Sequence, residues 1–218
     1  MESLRDKIGQ TIMVGCKGER LSRNERLMFA EYGFGGFILF RHNCCEPRQI
    51  VSLCRSLWDD APGLPPFIAI DEEGGKVHRL PRPFTHFPAA AAIGARNDLH
   101  LAYRAGRAVA AELALIGINL NFAPVLDVHS NAANPIIGER AFGMDPSRVS
   151  ALAAAWMRGL RDGGVIPCGK HFPGHGDTDE DSHLALPVVT KSLTRLQAVE
   201  LPPFINACRA GIEALMTA

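Results

Sequence analysis

The sequence predicts an α/β fold built on a parallel sheet, and three observations carry that expectation. Short apolar runs recur along the 218 residues, among them Phe34–Phe40, Phe67–Ile70 and Val165–Gly169. Between them lie longer stretches with apolar residues at spacings of three and four, the period of a helix with one buried face. Strand and helix signals alternate through six strands, the order expected of parallel strands joined by crossover helices.

In chain order, Ile8–Val14 is apolar, ends at Gly15 and reads as the first strand. Glu19–Tyr32 is compatible with a helix that Gly33 stops. Phe34–Phe40 is the second strand, followed at once by Arg41, His42 and Asn43. Pro47 sits where a helix begins, and Ile50, Leu53, Cys54 and Leu57 fall on one face of it. Phe67–Ile70 is the third strand and runs into Asp71-Glu72-Glu73-Gly74-Gly75. The stretch from Pro81 to Ala92 is irregular. Leu99, Ala102, Gly106, Val109, Leu113 and Ile116 then form a helical stripe closed by Gly117. Ile118–Leu126 is the fourth strand, ending at Asp127, and a long loop spans Asn131–Gly143. Asp145-Pro146 caps a helix that runs to Gly163-Gly164. After the fifth strand, Ser192–Gly211 is largely helical with a break at Pro202-Pro203, and Glu213–Ala218 opens a sixth strand.

Two architectures fit this order, an open doubly wound sheet or a barrel of (β/α) units. The chain has no G-x-G-x-x-G and no P-loop, the phosphate turns common in the first. Polar residues instead follow several strand ends: Arg41-His42, Asp71-Glu72, Asp127 and Lys170-His171. That distribution suits a barrel mouth.

Composition narrows the function classes. A formal net charge of zero and the lack of a long basic run argue against a nucleic-acid partner. No apolar span is long enough to cross a bilayer, and no signal core follows the N-terminus. Six cysteines without a framework spacing read as reduced thiols, and the protein is expected in the cytoplasm.

The chemistry concentrates in Lys170–Pro187, which reads K-H-F-P-G-H-G-D-T-D-E-D-S-H-L-A-L-P. A strand is expected to end as it begins, and Pro173, Gly174 and Gly176 favour a looped backbone. The stretch admits three readings. It is a solvated connector, a metal site drawn from His171, His175, Asp177, Asp181 and His183, or an acid/base site. Against metal, there is no H-E-x-x-H and no paired C-x-x-C. For acid/base chemistry, Asp181 stands two residues from His183, near enough to orient its ring and raise its basicity. Lys170 and His171 would then be donors to a hydroxyl-rich ligand.

K-H-F-P-G-H-G-D-T-x-x-D-S-H resembles the signature of glycoside hydrolase family 3, in its β-N-acetylhexosaminidase branch. So do D-E-E-G-G-K-V-H-R-L at 71–80, N-F-A-P-V-L-D-V at 121–128 and N-P-I-I-G-E-R-A-F-G at 134–143. The resemblance covers almost the whole chain in order. It implies one domain over 1–218, a (β/α)8 TIM-type barrel here incomplete at about six of eight units, and no cofactor or metal. The implied activity is removal of terminal non-reducing N-acetylglucosamine with retention, in cytoplasmic peptidoglycan recycling. The implied partner is a small carbohydrate, such as an N-acetylglucosaminyl-anhydromuropeptide or a chito-oligosaccharide.

Position by position, the resemblance implies substrate contacts from Asp71, Arg79, Arg140, Lys170 and His171, and an acid/base His183 partnered by Asp181. The family commonly has Gln at Glu72 and often Arg at Lys76. Glu72, Glu73, Asp127 and Glu139 are read as structural or supporting. The family's nucleophile is an Asp on a later strand, so this chain is expected to lack it and to be an inactive fragment. Competing readings are a sugar-binding module without turnover, a metal-dependent hydrolase and an N-acetylglucosaminide phosphorylase.

Overall fold

The computed structural model describes residues 4–61, 63–177 and 191–218. Six strands form one sheet in the order of the sequence: β1 (Met13–Gly15), β2 (Gly36–Leu39), β3 (Phe67–Ile70), β4 (Leu120–Asn121), β5 (Ile166–Phe172) and β6 (Ala214–Thr217). Every pairing is parallel. All C-terminal strand ends therefore lie along one rim, and unbroken sequential order is that of a sheet curling toward a barrel rather than of a doubly wound sheet with a switch point.

The helices are α1 (Leu4–Gln10), α2 (Arg23–Tyr32), α3 (Pro47–Asp59), α4 (Ala90–Arg96), α5 (Leu99–Leu115), α6 (Pro146–Asp162), α7 (Leu193–Ala198) and α8 (Pro202–Arg209). Their ends follow local chemistry. Ser22 and Glu25 form a capping box at the start of α2, and Gly33 ends that helix in the left-handed region at φ 58°. Asp145 caps α6 through the Arg148 amide, with Pro146 as its first residue. All four apolar residues expected on one face of α3 are buried.

Strand side chains alternate between two layers. Ile68 and Ile70 face the helices in the main core, beside Leu53, Leu57, Val109 and Leu113. Ala69 points to the other face, where Leu120 and Cys168 are buried against Met13, Phe122, Ile166, Ala214 and Met216. Register aligns part of that inner row, because Ala69 pairs with Leu120, Leu120 with Ile166, and Cys168 with Ala214. On the outer side α5 and α6 cross at glycines. A Cβ on Gly106 would stand 2.1 Å from the Trp156 carbonyl, and one on Gly159 would stand 2.2 Å from that of Tyr103. Larger residues would force the two backbones apart.

Four expectations need correction. The first strand is not Ile8–Val14: Leu4–Gln10 is helical, and only Met13–Gly15 pairs with β2. A short apolar run fits one helical turn as well as a strand, and Gly9 lets this turn pack onto the end of α2. The fourth strand shrinks from Ile118–Leu126 to Leu120–Asn121, since Pro124 has no amide to donate and the Ala123 amide turns to the Asn121 carbonyl. Part of the irregular Pro81–Ala92 stretch belongs to α4. The fifth strand does not end at Gly169, because pairing with β6 carries it through Lys170 to Phe172.

Candidate active site

Four rim segments contribute charged groups. Beyond β3, the strand alternation continues through Asp71, Glu72 and Glu73. Asp71 and Glu73 reach one cluster, and Glu72 reaches different partners. Lys170 and His171 lie within β5, Asp127 follows β4, and Arg140 ends a 3₁₀ turn over Gly138–Arg140.

Lys170 is the hub. Its side chain is 3% exposed, and its Nζ lies 2.6 Å from Asp71 Oδ1 and 2.6 Å from Glu73 Oε1. Arg140 grips Glu73 with both ends of its fork, Nε to Oε2 and Nη2 to Oε1, each at 2.9 Å. Burial would push the Glu73 carboxyl up, but the Arg140 bonds and the Lys170 charge outweigh it and hold Glu73 down at about 2. Burial opposes the charge on Arg140 too, and Glu73 overrides it and raises its pKa. Asp71 is left partly open: Lys170 engages one oxygen, and Arg79 Nη2 stands 3.9 Å from the other.

His171 is held between a carboxylate and a guanidinium. Its Nδ1 lies 2.7 Å from Asp127 Oδ2, and Arg140 Nη2 approaches its Nε2 at 3.4 Å. A neutral ring with its proton on Nδ1 satisfies both contacts. Asp127 is fully buried, and it also accepts from the His171 amide and, at 2.7 Å, from the His175 amide. One carboxylate thus fixes the imidazole and the backbone that leaves β5.

Glu72 anchors the segment carrying Arg79. Asn121 clamps the Glu72 backbone, accepting from its amide at 3.0 Å and donating to its carbonyl at 2.9 Å. The Glu72 side chain accepts from the Arg79 amide at 3.0 Å and meets His78 Nδ1 at 2.5 Å. Burial raises the Glu72 pKa, against these hydrogen bonds. Gly74, at φ 89°, turns the chain between these anchors, where a Cβ would meet the Pro88 carbonyl at 2.4 Å.

Asp71, Arg79, Arg140, Lys170 and His171 therefore meet on one rim. Glu73 and Asp127, read from sequence as supporting, are the carboxylates that hold the cluster's cations and imidazole. Parity along the strand was the available signal for Glu73, two residues from Asp71 on the same side. Asp181 and His183 lie outside the described residues. Among the described residues, no group of three or more His, Cys, Asp or Glu is placed to hold a metal ion. Nor is any helix there long and apolar enough to cross a membrane.

A parallel sheet with its polar site along the C-terminal rim defines an α/β domain of barrel type. The model for the glycosyl hydrolase family 3 N-terminal domain matches residues 3–218, and the chain belongs to that family. It is 41% identical over 209 residues to a beta-hexosaminidase of Methylococcus capsulatus, an alignment covering 94% of this chain and 62% of that protein. A family 3 beta-N-acetylglucosaminidase from Paenibacillus sp. superposes with a TM-score of 0.97 at 43% identity, over 100% of this chain and 42% of that one. NagZ from Neisseria gonorrhoeae, in complex with N-trifluoroacetyl-D-glucosamine, superposes with a TM-score of 0.89 at 39% identity, over 95% and 62% of the two chains. The chain spans about three fifths of the length of the curated relatives it matches.

Proposed function

We propose that the chain forms the sugar-binding part of a retaining β-N-acetylhexosaminidase acting on terminal non-reducing N-acetyl-β-D-glucosaminides. The observation that carries this reading is the Asp71–Lys170 pair, 2.6 Å apart, set beside His171 and Arg140 on one rim. A carboxylate flanked by fixed cations is suited to a ring carrying several hydroxyls, each both donor and acceptor. Asp71 would accept from sugar hydroxyls, and Lys170, His171, Arg140 and Arg79 would border the same ring. His183, oriented by Asp181, would protonate the departing oxygen and then deprotonate water, which suits a group that titrates near neutral pH. An N-acetylglucosaminyl-muropeptide as substrate, a role in peptidoglycan recycling and a cytoplasmic location complete the proposal.

A second reading has its own support. The three carboxylates of the cluster are each engaged: Asp71 by Lys170, Glu73 by Lys170 and Arg140, Asp127 by His171. With these three carboxylates already committed to cations or an imidazole, this part of the rim is suited to holding a sugar rather than to attacking its anomeric carbon, which favours binding without turnover. Titration with N-acetylglucosamine beside an assay of aryl glucosaminide release separates the two. Saturable binding without release favours the second reading. Release that falls after His183→Ala mainly for poor leaving groups favours the first. Absence of binding, or binding indifferent to Asp71→Ala, defeats both.

A further inference from the structure

We propose that the turn after β2 is a leaving-group subsite selecting an aglycone with a carboxylate beside an apolar or ring face. The inference rests on the sugar-binding reading above. A cavity of about 700 Å³ is lined by Phe40, Arg41, His42 and Arg79. Arg79 is the link to the sugar cluster, since its Nη2 lies 3.9 Å from Asp71 Oδ2. A ligand seated on Asp71 with its glycosidic bond directed along the rim reaches this cavity next.

The turn is built as a rigid platform. Asn43 is fully buried. Its Oδ1 accepts from the Phe40 amide at 2.8 Å, and its Nδ2 donates to the Cys16 and Gly18 carbonyls at 3.0 and 2.8 Å. His42 Nε2 donates to the Cys16 carbonyl at 3.1 Å, which fixes its ring. The Phe40 and His42 planes lie within 13° of parallel, with centroids 6.0 Å apart. The backbone of the turn is thus fixed, and the His42 ring cannot swing into the cavity without losing its bond to the Cys16 carbonyl. Preorganisation of this kind lowers the ordering cost of binding.

Charge gives the platform its selectivity. Arg41 is exposed, and among the described residues no acidic side chain pairs with it. The sugar cluster is different, because each of its carboxylates already has a cation or an imidazole. An unpaired guanidinium beside a flat aromatic pair matches a planar carboxylate, which it grips bidentately, next to an apolar surface. A neutral aglycone would leave that fork to solvent.

The test is a titration of the chain with N-acetylglucosamine and two β-glycosides of it. One has a para-carboxyphenyl aglycone and the other the isosteric para-carboxamidophenyl. The carboxylate glycoside is expected to bind about tenfold more tightly, equivalent to about 1.4 kcal/mol. Arg41→Ala should erase this preference and leave N-acetylglucosamine affinity unchanged, while Arg41→Lys keeps part of it. Equal affinity for the two glycosides, or a preference that survives Arg41→Ala, overturns the inference. If N-acetylglucosamine binds and the glycosides do not differ, only the leaving-group subsite falls. If none of the three ligands binds, the sugar-binding reading falls and takes the subsite with it.

Discussion

The rim is ordered in two ways, at the ends of β3 and β5 and at the end of β2. Around β3 and β5 the side chains hold one another: Lys170 spans Asp71 and Glu73, Arg140 grips Glu73, and Asp127 holds His171. At β2 a buried Asn43 holds the backbone, and Arg41 extends from it without an acidic partner among the described residues. The first arrangement uses its charges on itself and offers a ligand only the open edges of Asp71, His171 and Arg79. The second keeps its charge for whatever arrives. Substitutions in the two regions should therefore fail in different ways, through stability in one and through ligand choice in the other.

The largest effect should come from Glu73→Ala. It leaves Lys170 with Asp71 alone and strips Arg140 of its bidentate partner, both largely buried. Breaking one side of a buried pair costs about 3–5 kcal/mol. The pH dependence carries the signature. The folded-state pKa of Glu73, about 2, lies below its ordinary 4.5, a difference worth about 3 kcal/mol at ~1.4 kcal/mol per pH unit. That stabilisation is full above the ordinary value and is lost as pH falls through about 2. Urea unfolding from pH 7 to pH 2 should show parent and variant converging toward the acid end. A constant gap across that range would mean the loss is one of packing, not charge.

Much of this contrast was legible in the sequence. Polar residues immediately after apolar runs located the rim, and Asp71, Arg79, Arg140, Lys170 and His171 do meet there. The stripe of α5, the face of α3, the stop of α2 at Gly33 and the cap of α6 depend on neighbours a few residues apart, so they too were readable. The roles of Glu73 and Asp127 were less so. Their partners are distant in sequence: Arg140 is 67 positions from Glu73, and His171 is 44 from Asp127. Only the sequential order of the sheet brings them together. The platform at β2 was hidden for the same reason. Asn43 looks like an ordinary turn residue until the Cys16 and Gly18 carbonyls are placed beside it. The length of β5 also escaped, because pairing with β6, not local preference, extends it past Gly169.

A middle-sized effect is expected from Asn43→Ala. The substitution removes one acceptor and two donor contacts from a fully buried site and leaves the Phe40 amide without its partner. At about 0.5–1.5 kcal/mol for each net hydrogen bond, the loss should be about 2 kcal/mol. Unlike Glu73→Ala, it should vary little between pH 7 and pH 4, since none of the lost bonds involves a titrating group. The loosened turn should also weaken the preference for a carboxylate aglycone. A variant that loses stability but keeps that preference in full would show that the platform need not be rigid to select.

The smallest effect on stability, and the sharpest test of the contrast, is Arg41→Ala. Its guanidinium is exposed and meets no acidic side chain among the described residues. Among the described residues, removing it breaks no ion pair, and an exposed side chain leaves no cavity in the core. Surface substitutions of this kind usually fall within about 0.5 kcal/mol of the parent. The variant should unfold in urea at nearly the parent midpoint with the same slope, at pH 7 and at pH 4 alike. Arg140→Ala belongs to the other region and should not behave so, because it leaves Glu73 buried with one cation instead of two. Set side by side, the arginine variants separate a charge that holds the fold from one kept for a ligand. A loss with Arg41→Ala comparable to that with Arg140→Ala would mean that Arg41 is structural, and the two halves of the rim would then be ordered in the same way.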